Sequence, residues 1–277
     1  MSEEEIVEGE HFSKRTKHRF RISNSGFVRN GKVFGGSTAC PRQVLLRDHG
    51  IERTPEVGSE EWFRREITFA IGHANEAVYR KLLEATNTPF KQEFFVCSPI
   101  NEDVERAGSI DFITDGVPEE KKAVSSTRQF KKICIDRQPK IENVCQLAGY
   151  MLEPQIEADR GNLKYTGTLY HSTTNWKAFP KTFTFSVHLK DNGDFVVDNK
   201  ALFTVEEILE HQWLCAEMLK TQKVWQGRPE GDGFFDACGL CDWRDACDAY
   251  DGKEINTTEA FLARCRGLQV CGSGGKK

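Results

Sequence analysis

Hydrophobic positions recur at helical spacing in four stretches of the chain. The longest stretch runs from Glu60 to about Glu84, and its apolar side chains share one side of a predicted helix: Phe63, Ile67, Ile71, Val78 and Leu82. A shorter helix is predicted from Pro41 to about His49, with proline in the first turn, where no backbone donor is lost. Two more helices are predicted, one from Pro139 to about Leu152 and one from the capping sequence Thr204-Val-Glu-Glu207 to about Trp225.

Alternating or β-rich segments, which are typical of strands, lie between these helices. The predicted strands are Gln92–Val96, Ala107–Thr114, Glu119–Ser125, Lys164–Ser172, Thr182–Leu189 and Phe195–Val197. Asp115-Gly116 and Asp191-Asn192-Gly193 have the composition of tight turns between neighbouring strands. The order of helix, three strands, helix, strands and helix predicts an α/β fold with a mixed central sheet flanked by helices.

The two ends of the chain lack this regular pattern. Residues 1–59 are interpreted as an N-terminal arm that carries the short helix and Cys40, and its first 36 residues as mostly irregular. Residues 226–277 are interpreted as a glycine- and cysteine-rich segment with a polar tail. Residues 60–225 form the predicted core between them. Because 277 residues suit one large domain, we predict a single domain over 1–277.

Composition narrows the class of protein further. Hydrophobic residues make up 38% and charged residues 29%, which predicts a globular protein with a core rather than a disordered chain. The formal net charge of −4 excludes a uniformly basic, nucleic-acid-coating protein but leaves room for a local basic groove. The chain has no apolar run of about 20 residues, and its N-terminus, MSEEEIVEGEHF, is acidic. We therefore predict a cytoplasmic protein without a membrane partner.

Acidic residues and a lysine lie on two consecutive predicted strands. Asp111 lies on the first strand, and Glu120 and Lys122 lie two apart on the second, so that both point to the same face. Converging carboxylates favour a hard divalent cation such as Mg²⁺ or Mn²⁺. A lysine beside them can orient a water molecule or stabilise a developing oxyanion. The alternative is a solvated strand face, because the run Glu-Glu-Lys-Lys is also an ordinary charged surface sequence.

Polar pairs at helical spacing flank these strands on both sides. His73 and Glu76 are three apart on the preceding helix, and Gln146 and Tyr150 are four apart on the following one, so each pair shares a helical face. For Gln146 or Tyr150 taken singly, the alternative is an ordinary amphipathic helix.

Three cysteines near the C-terminus are closely spaced. Cys238, Cys241 and Cys247 form the pattern C-x2-C-x5-C, and Cys40, directly before Pro41, is the natural fourth ligand. Without an export signal, clustered cysteines indicate metal or cluster ligation more often than disulfides. Spacing alone leaves zinc and an iron–sulfur cluster both open, and the alternative for Cys40 is an ordinary core residue. Cys265 and Cys271 lie in the polar tail and have no predicted role.

Two local runs of basic residues are candidate phosphate contacts. One run follows the Glu-x-Lys strand and comprises Arg128, Lys131, Lys132, Arg137 and Lys140; the other lies in the N-terminal arm and comprises Lys14, Arg15, Lys17, Arg19 and Arg21. Phe20, between the last two, is a candidate for stacking on an unpaired base. The alternative for any one of these residues is a solvated charged surface.

In this order and spacing, residues 37 to 250 resemble the PD-(D/E)XK nuclease superfamily in its RecB-like branch. The resemblance implies a restriction-endonuclease-like fold, in which the family's aspartate falls on Asp111 and its Glu-x-Lys on Glu120 and Lys122. It favours Glu76 over His73 as the helix residue that supports the metal. The following serines fall on Ser125 and Ser126, and the downstream Gln-x-x-x-Tyr falls on Gln146 and Tyr150. The usually apolar middle residue is Lys121 here, which leaves a competing register of Glu119 with Lys121.

The cysteine pattern resembles the iron–sulfur nucleases of the same branch, which include CRISPR-associated adaptation nucleases and AddB-like nuclease domains. The resemblance implies a 4Fe-4S cluster that joins the N- and C-terminal segments through the four cysteines. It also implies a metal-dependent exonuclease acting on single-stranded DNA ends with a 5′ to 3′ preference, beside a separate helicase or an adaptation or recombination protein. The alternatives are a non-catalytic DNA-binding or assembly subunit with a decayed site, and a zinc-stapled protein of other function.

Overall fold

The computed structural model describes residues 17–51, 55, 57–124, 126–167, 182–230, 238, 241 and 243–271, with the backbone alone at 127 and 268–271. Ten strands are present in these ranges: β1 (His18–Arg21), β2 (Phe27–Arg29), β3 (Lys32–Phe34), β4 (Phe90–Pro99), β5 (Val104–Thr114), β6 (Val117–Val124), β7 (Arg160–Gly167), β8 (Thr182–Leu189), β9 (Asp194–Val197) and β10 (Lys200–Thr204). The same ranges contain seven α-helices: α1 (Pro41–Asp48), α2 (Glu60–Ala85), α3 (Thr127–Phe130), α4 (Ile141–Met151), α5 (Val205–Thr221), α6 (Arg244–Asp251) and α7 (Thr258–Cys271).

Eight of the strands form one mixed sheet. Strands β4, β5 and β6 make an antiparallel meander, and β7 then runs parallel to β6. Helix α4 lies in the connection between β6 and β7, as a parallel crossover requires. The sheet continues through antiparallel β8, β9 and β10. This confirms the predicted α/β architecture with a mixed central sheet flanked by helices.

The N-terminal and C-terminal segments pack against one another. One buried cluster joins Phe20 and Leu45 from the N-terminal arm to Leu219 of α5 and Phe261 of α7. A second cluster packs helix α4 and neighbouring elements against strands β6 to β10. Burial of these apolar side chains stabilises the approach of the chain ends independently of any cofactor.

Local sequence signals correctly predicted several element boundaries. Helix α1 begins at Pro41, and α2 spans the stretch with helical periodicity. The predicted capping box is present, because the Glu207 backbone N–H donates to the Thr204 side chain and the Thr204 N–H donates to the Glu207 carboxylate. Helix α4 begins at Ile141, two residues after the proline predicted to open it.

The prediction of a mostly irregular arm is wrong for its described part. Strand β1 pairs in parallel with the first residues of β5, while β2 and β3 form a separate two-stranded ribbon. A strand of four residues is too short to show periodicity, and its partner lies far along the chain. Strand β10 and helices α3, α6 and α7 were also not predicted.

Helix α2 packs through a different face from the one that its apolar pattern indicates. Leu83 is its buried residue, whereas Phe63, Ile67, Val78 and Leu82 are exposed. Over the residues that the structure describes, no helix is both long and apolar enough to cross a membrane.

Candidate active site and cysteine cavity

The hairpin of β5 and β6 positions the predicted Glu-x-Lys pair. Asp115 and Gly116 both have positive φ, at 51° and 80°, as a tight hairpin turn requires. The turn sets the register in which Phe112 pairs with Glu119. Strand alternation then places Glu120 and Lys122 on one face, where Lys122 Nζ lies 2.5 Å from Glu120 Oε1.

Glu120 is held in an environment that disfavours its charge. Its side chain is 1% exposed, and burial raises its pKa to about 7, with Asp111 and Glu76 adding to the rise and Lys122 opposing it. Its second oxygen, Oε2, is buried and has no hydrogen-bond partner among the described residues. A buried carboxylate oxygen without a partner carries a desolvation cost, which a cation could offset.

Asp111 and Glu76 approach this carboxylate from two other elements. Asp111 accepts a 2.7 Å hydrogen bond from the Lys121 backbone N–H, and burial raises its pKa. Glu76 lies on α2, and burial and the charge of Asp111 raise its pKa. His73 lies 3.8 Å from Glu76, but its side chain is 80% exposed. Of the two helix candidates, Glu76 is therefore the residue coupled to Asp111 and Glu120.

Lys122 lies among these three carboxyl groups. Burial opposes its positive charge, but Glu120, Asp111 and Glu76 outweigh burial and raise its pKa. The lysine therefore stays protonated and acts here as a hydrogen-bond donor and positive charge rather than as a base.

Glu93 on β4 is a further carboxylate near the group, and it was not predicted. Its charge contributes to the raised pKa values of both Asp111 and Glu76. It lies between the ladder pairs Gln92 with Phe112 and Phe94 with Ile110, opposite Asp111. Its φ of 52° is unusual for a residue within a strand and stores local strain, which is common at functional sites.

Gln146 and Tyr150 lie on the face of α4 that points toward β5. The Tyr150 hydroxyl donates a 2.7 Å hydrogen bond to the Ser109 carbonyl, and Gln146 Nε2 lies 3.4 Å from that hydroxyl. Beside Lys122 and Gln146 there is a cavity of about 330 Å³, and Arg47, Lys140 and Asn143 also line it. Its size and polar wall suit a nucleotide-sized ligand.

The competing register forms a neighbouring network around Tyr79. Glu119 accepts a 2.6 Å hydrogen bond from the Tyr79 hydroxyl and pairs with Lys164 at 2.6 Å. Lys121 Nζ lies 4.0 Å from the centre of the Tyr79 ring, and burial and the charge of Lys164 lower its pKa to about 8. The structure thus couples Glu120 and Lys122 to Asp111 and ties Glu119 and Lys121 to Tyr79, while the charge of Lys121 also acts on Asp111.

Removing the hydroxyl in this network is expected to destabilise the fold. Tyr79→Phe leaves Glu119 with one donor fewer in a buried position, so the free energy of unfolding should fall by about 1–3 kcal/mol. Urea denaturation of the purified variant measures the change. Tyr250→Phe is the matched control, because its hydroxyl accepts a solvent-exposed hydrogen bond from Gln226, so the change should stay within about 0.5 kcal/mol. Equal losses in both variants would contradict a structural role for the network.

The four predicted cysteine ligands line one small cavity. Cys40 lies at the N-cap of α1, and Cys247 lies on α6. Cys238 and Cys241 form a turn before α6, in which the Cys241 N–H donates to the Cys238 carbonyl at 3.2 Å. The cysteines that the structure describes are all free thiols. Packing of the chain ends thus brings Cys40 to the C-terminal trio.

Cys265 on α7 also lies near this cavity without lining it. It is fully buried, and burial together with the nearby Cys247 and Cys241 raises its pKa to about 12. The Cys271 side chain lies outside the described residues.

The structure places the residues predicted to contact DNA, and the serines that follow the Glu-x-Lys pair, in different environments. Phe20 is completely buried against His211, so the prediction that it stacks on a base is wrong. Arg19 pairs with Glu105 and Arg137 with Asp198, which ties both to the fold. Ser126 caps α3 by accepting from the Gln129 N–H. Lys14, Arg15 and Ser125 lie outside the described residues.

Within the described ranges, no three His, Cys, Asp or Glu side chains are arranged to hold a single metal ion as they stand. The carboxylates of α2, β5 and β6 are neighbours that interact through their charges, and the cysteines are neighbours around a cavity.

Comparison with known proteins leaves the family open. No protein-family model matches the chain, and no curated protein matches it. Among solved structures, the chain is similar to the one titled "Crystal structure of SSO0001", with 13% identity and a TM-score of 0.45. The similarity covers 74% of this chain and 78% of that one. A similarity at this level identifies neither a fold family nor a function.

Proposed function

We propose that this protein is a metal-dependent DNA exonuclease with a PD-(D/E)XK core of the restriction-endonuclease-like type. The observation that carries the proposal is the coupling of Asp111, Glu120 and Glu76 around Lys122, with one buried Glu120 oxygen that has no partner in the described part of the chain. Three carboxylates from three elements repel one another, so a site of this kind gains stability from a cation.

The donor chemistry fits Mg²⁺ or Mn²⁺. Carboxylate oxygens are hard ligands, and Asp111, Glu120 and Glu76 would hold the ion, with His73 at the exposed edge. When bound, such an ion supplies Lewis-acid stabilisation of a phosphate and a more acidic water. Small movements of these side chains would be needed, because the present positions do not form a complete ligand group among the described residues.

The protein side chains around the site have different roles in the proposed phosphodiester hydrolysis. Lys122 keeps its proton and donates to the attacking water or to a phosphate oxygen, where negative charge develops. Gln146 lines the adjacent cavity and positions the strand there, whereas Tyr150, bound to Ser109 O, fixes helix α4 against β5. Lys140 and Arg47 in the cavity wall supply positive charge for the DNA backbone.

The cysteine cavity supports a second proposed cofactor, a 4Fe-4S cluster that joins the two ends of the chain. Thiolates are soft ligands that suit iron–sulfur clusters or zinc. A tetrahedral zinc site with bonds of about 2.3 Å needs sulfurs about 3.8 Å apart. Four cysteines line the same cavity, but within the described ranges no three of them are arranged to hold an ion as they stand. Small movements would be needed for either cofactor, and the resemblance to the iron–sulfur nucleases is what favours a cluster over zinc.

The proposed substrate is a single-stranded DNA end, with the 5′ to 3′ preference that the family resemblance implies. A separate helicase, or a CRISPR adaptation or recombination protein, would supply that end. The test uses anaerobically purified full-length protein, Mn²⁺ and end-labelled single-stranded DNA. Release of short products from labelled ends supports the proposal. DNA binding without metal-dependent cleavage would instead favour a non-catalytic DNA-binding subunit.

Metal binding should depend on pH through Glu120. Its carboxyl has a pKa of about 7 in the metal-free protein, so a proton occupies it at lower pH and competes with the cation. The apparent Mn²⁺ affinity is expected to fall about tenfold for each pH unit below 7, and to level off above it. Titration calorimetry from pH 6 to 8 measures this, and Glu120→Gln should bind weakly with a flatter profile. An affinity independent of pH in the wild type would contradict the assignment.

A further inference from the structure

Three arginines lie in the wall of the cavity that the four cysteines line: Arg42, Arg228 and Arg244. Burying a positive side chain is costly unless it is paired, and aspartates of α6 pair with all three: Asp251 with Arg42, and Asp248 with Arg228 and Arg244. The cavity wall therefore places positive charge and N–H donors beside four thiols, an arrangement that suits a bound group with negative charge.

Arg42 is the most informative of the three, because it is only 1% exposed. Its Nε donates a 2.8 Å hydrogen bond to the Trp225 carbonyl, and its Nη2 donates to Asp251 at 2.5 Å. The guanidinium also lies over the Tyr250 ring, 5.4 Å from its centre. These contacts fix the plane of the guanidinium and tie α1 to α6.

Arg42 also interacts with one of the cysteines. Its Nη1 is buried and has no partner in close hydrogen-bond geometry among the described residues. The guanidinium nonetheless acts on Cys247 through a hydrogen bond and through its charge, and both oppose the effect of burial on the pKa of that thiol. A further acceptor in the cavity would satisfy this buried donor more fully.

Other donors face the same sulfurs. Gln43 Nε2 lies 3.5 Å from Cys241 Sγ. Arg228 is held by Asp251 and Asp248 at 2.6 and 2.5 Å, and its charge also acts on Cys247. The two aspartates lie on α6, which carries Cys247, so they hold the arginines beside that sulfur.

We propose that Arg42, Gln43 and Arg228 form a shell of hydrogen-bond donors around the sulfur atoms of the cofactor held by the four cysteines. Arg42 is the main donor of this shell. This inference rests on the cluster proposed above. A cluster ligated by four thiolates is anionic, and hydrogen bonds to its sulfurs favour the more negative, reduced state. The shell therefore raises the reduction potential of the cluster and slows its loss, as partners outside the ligands do at other metal sites.

The test compares anaerobically purified full-length variants by three measurements: iron and sulfide content, reduction potential, and the rate of iron release to a chelator. Arg42→Gln is expected to shift the potential to a more negative value and to release iron about tenfold faster. Arg42→Lys keeps the charge but loses the planar donors. Its reduction potential and its rate of iron release should lie between those of Arg42→Gln and the wild type.

Arg106→Gln is the matched control, because Arg106 is also a largely buried arginine paired with a carboxylate, that of Glu153, but does not line the cysteine cavity. The reduction potential of this variant should equal the wild-type value even if its stability falls. A loaded Arg42→Gln with wild-type potential and release rate would overturn the shell. Equal shifts in Arg42→Gln and Arg106→Gln would overturn it as well, since they would show that a general loss of stability causes them.

Two further variants keep the proposal testable if Arg42→Gln does not fold. Gln43→Met and Arg228→Gln remove donors that are not fully buried, and both should shift the potential in the same direction. Wild-type potentials in both would overturn the shell. Wild-type protein that contains no iron or sulfide would reject the cluster itself. This outcome differs from a bound cluster whose reduction potential is unchanged in the variants, which would reject only the donor shell.

Discussion

Replacing Lys122 with methionine is expected to lower metal-dependent cleavage of single-stranded DNA by at least about 100-fold. The ammonium group of Lys122 lies among Glu120, Asp111 and Glu76, which keep it protonated. It is thus placed to donate to a water or phosphate oxygen as charge develops. Methionine keeps an unbranched apolar side chain but cannot donate. Initial rates at saturating Mn²⁺ with end-labelled DNA measure the loss.

Lys121→Met is the matched control for this variant. Lys121 is the neighbouring lysine, but it lies over the Tyr79 ring in the Glu119 network. Its charge also acts on Asp111, so its loss should lower stability and reduce the cleavage rate, but by much less than the loss of Lys122. The opposite result, with Lys121→Met inactive and Lys122→Met active, would assign the site to the Glu119 register. Activity that survives in both Lys122→Met and Asp111→Ala would reject the site altogether.

Replacing Cys40 with serine is expected to have the largest effect on stability. Linking Cys40 to Cys238 through a shared cofactor closes a loop of about 200 residues, and in the chain-entropy model such a link is worth about 5 kcal/mol. That is comparable to the whole stability of many domains. Cys40→Ser should therefore lose bound iron and unfold at a much lower denaturant concentration.

Denaturation of anaerobically purified protein, with iron analysis of the same samples, measures this effect. Cys97→Ser is the control, because Cys97 is a half-buried thiol on β4 and does not line the cysteine cavity. Its change should be below about 1 kcal/mol. A Cys40→Ser protein with wild-type iron content and stability would show that Cys40 is an ordinary core thiol. Chelation of iron from the wild type should reproduce the Cys40→Ser result.

Parts of the candidate site could be predicted because they depend on local periodicity. The two-residue spacing of Glu120 and Lys122 dictates a common face once β6 is a strand, and the Asp115-Gly116 turn dictates which strand lies beside it. Helical spacing likewise placed Glu76 on α2. Glu93 could have been found from the same hairpin logic, because β4 and β5 are antiparallel and it lies opposite Asp111.

Other features depend on contacts between distant segments. Phe20 has the local sequence of an exposed basic arm, yet β1 pairs with β5 and buries its ring. The apolar stripe of α2 remains exposed, since the side of the helix that carries Tyr79 and Glu76 is the one that faces the sheet. No local sequence pattern shows that Phe20 is buried or that the apolar residues of α2 are exposed.

The sequence by itself determined the main helices and strands, the α/β class, and the facing of Glu120 with Lys122, because each follows from spacing along one segment. Only the tertiary structure decided that Glu76 lies with Asp111 and Glu120, that Cys40 meets the C-terminal cysteines, and that Arg42 lies buried beside them. These arrangements require segments more than 200 residues apart to pack together, as Arg42 and Asp251 do. Packing of that kind depends on the fit of whole buried surfaces rather than on the order of neighbouring residues.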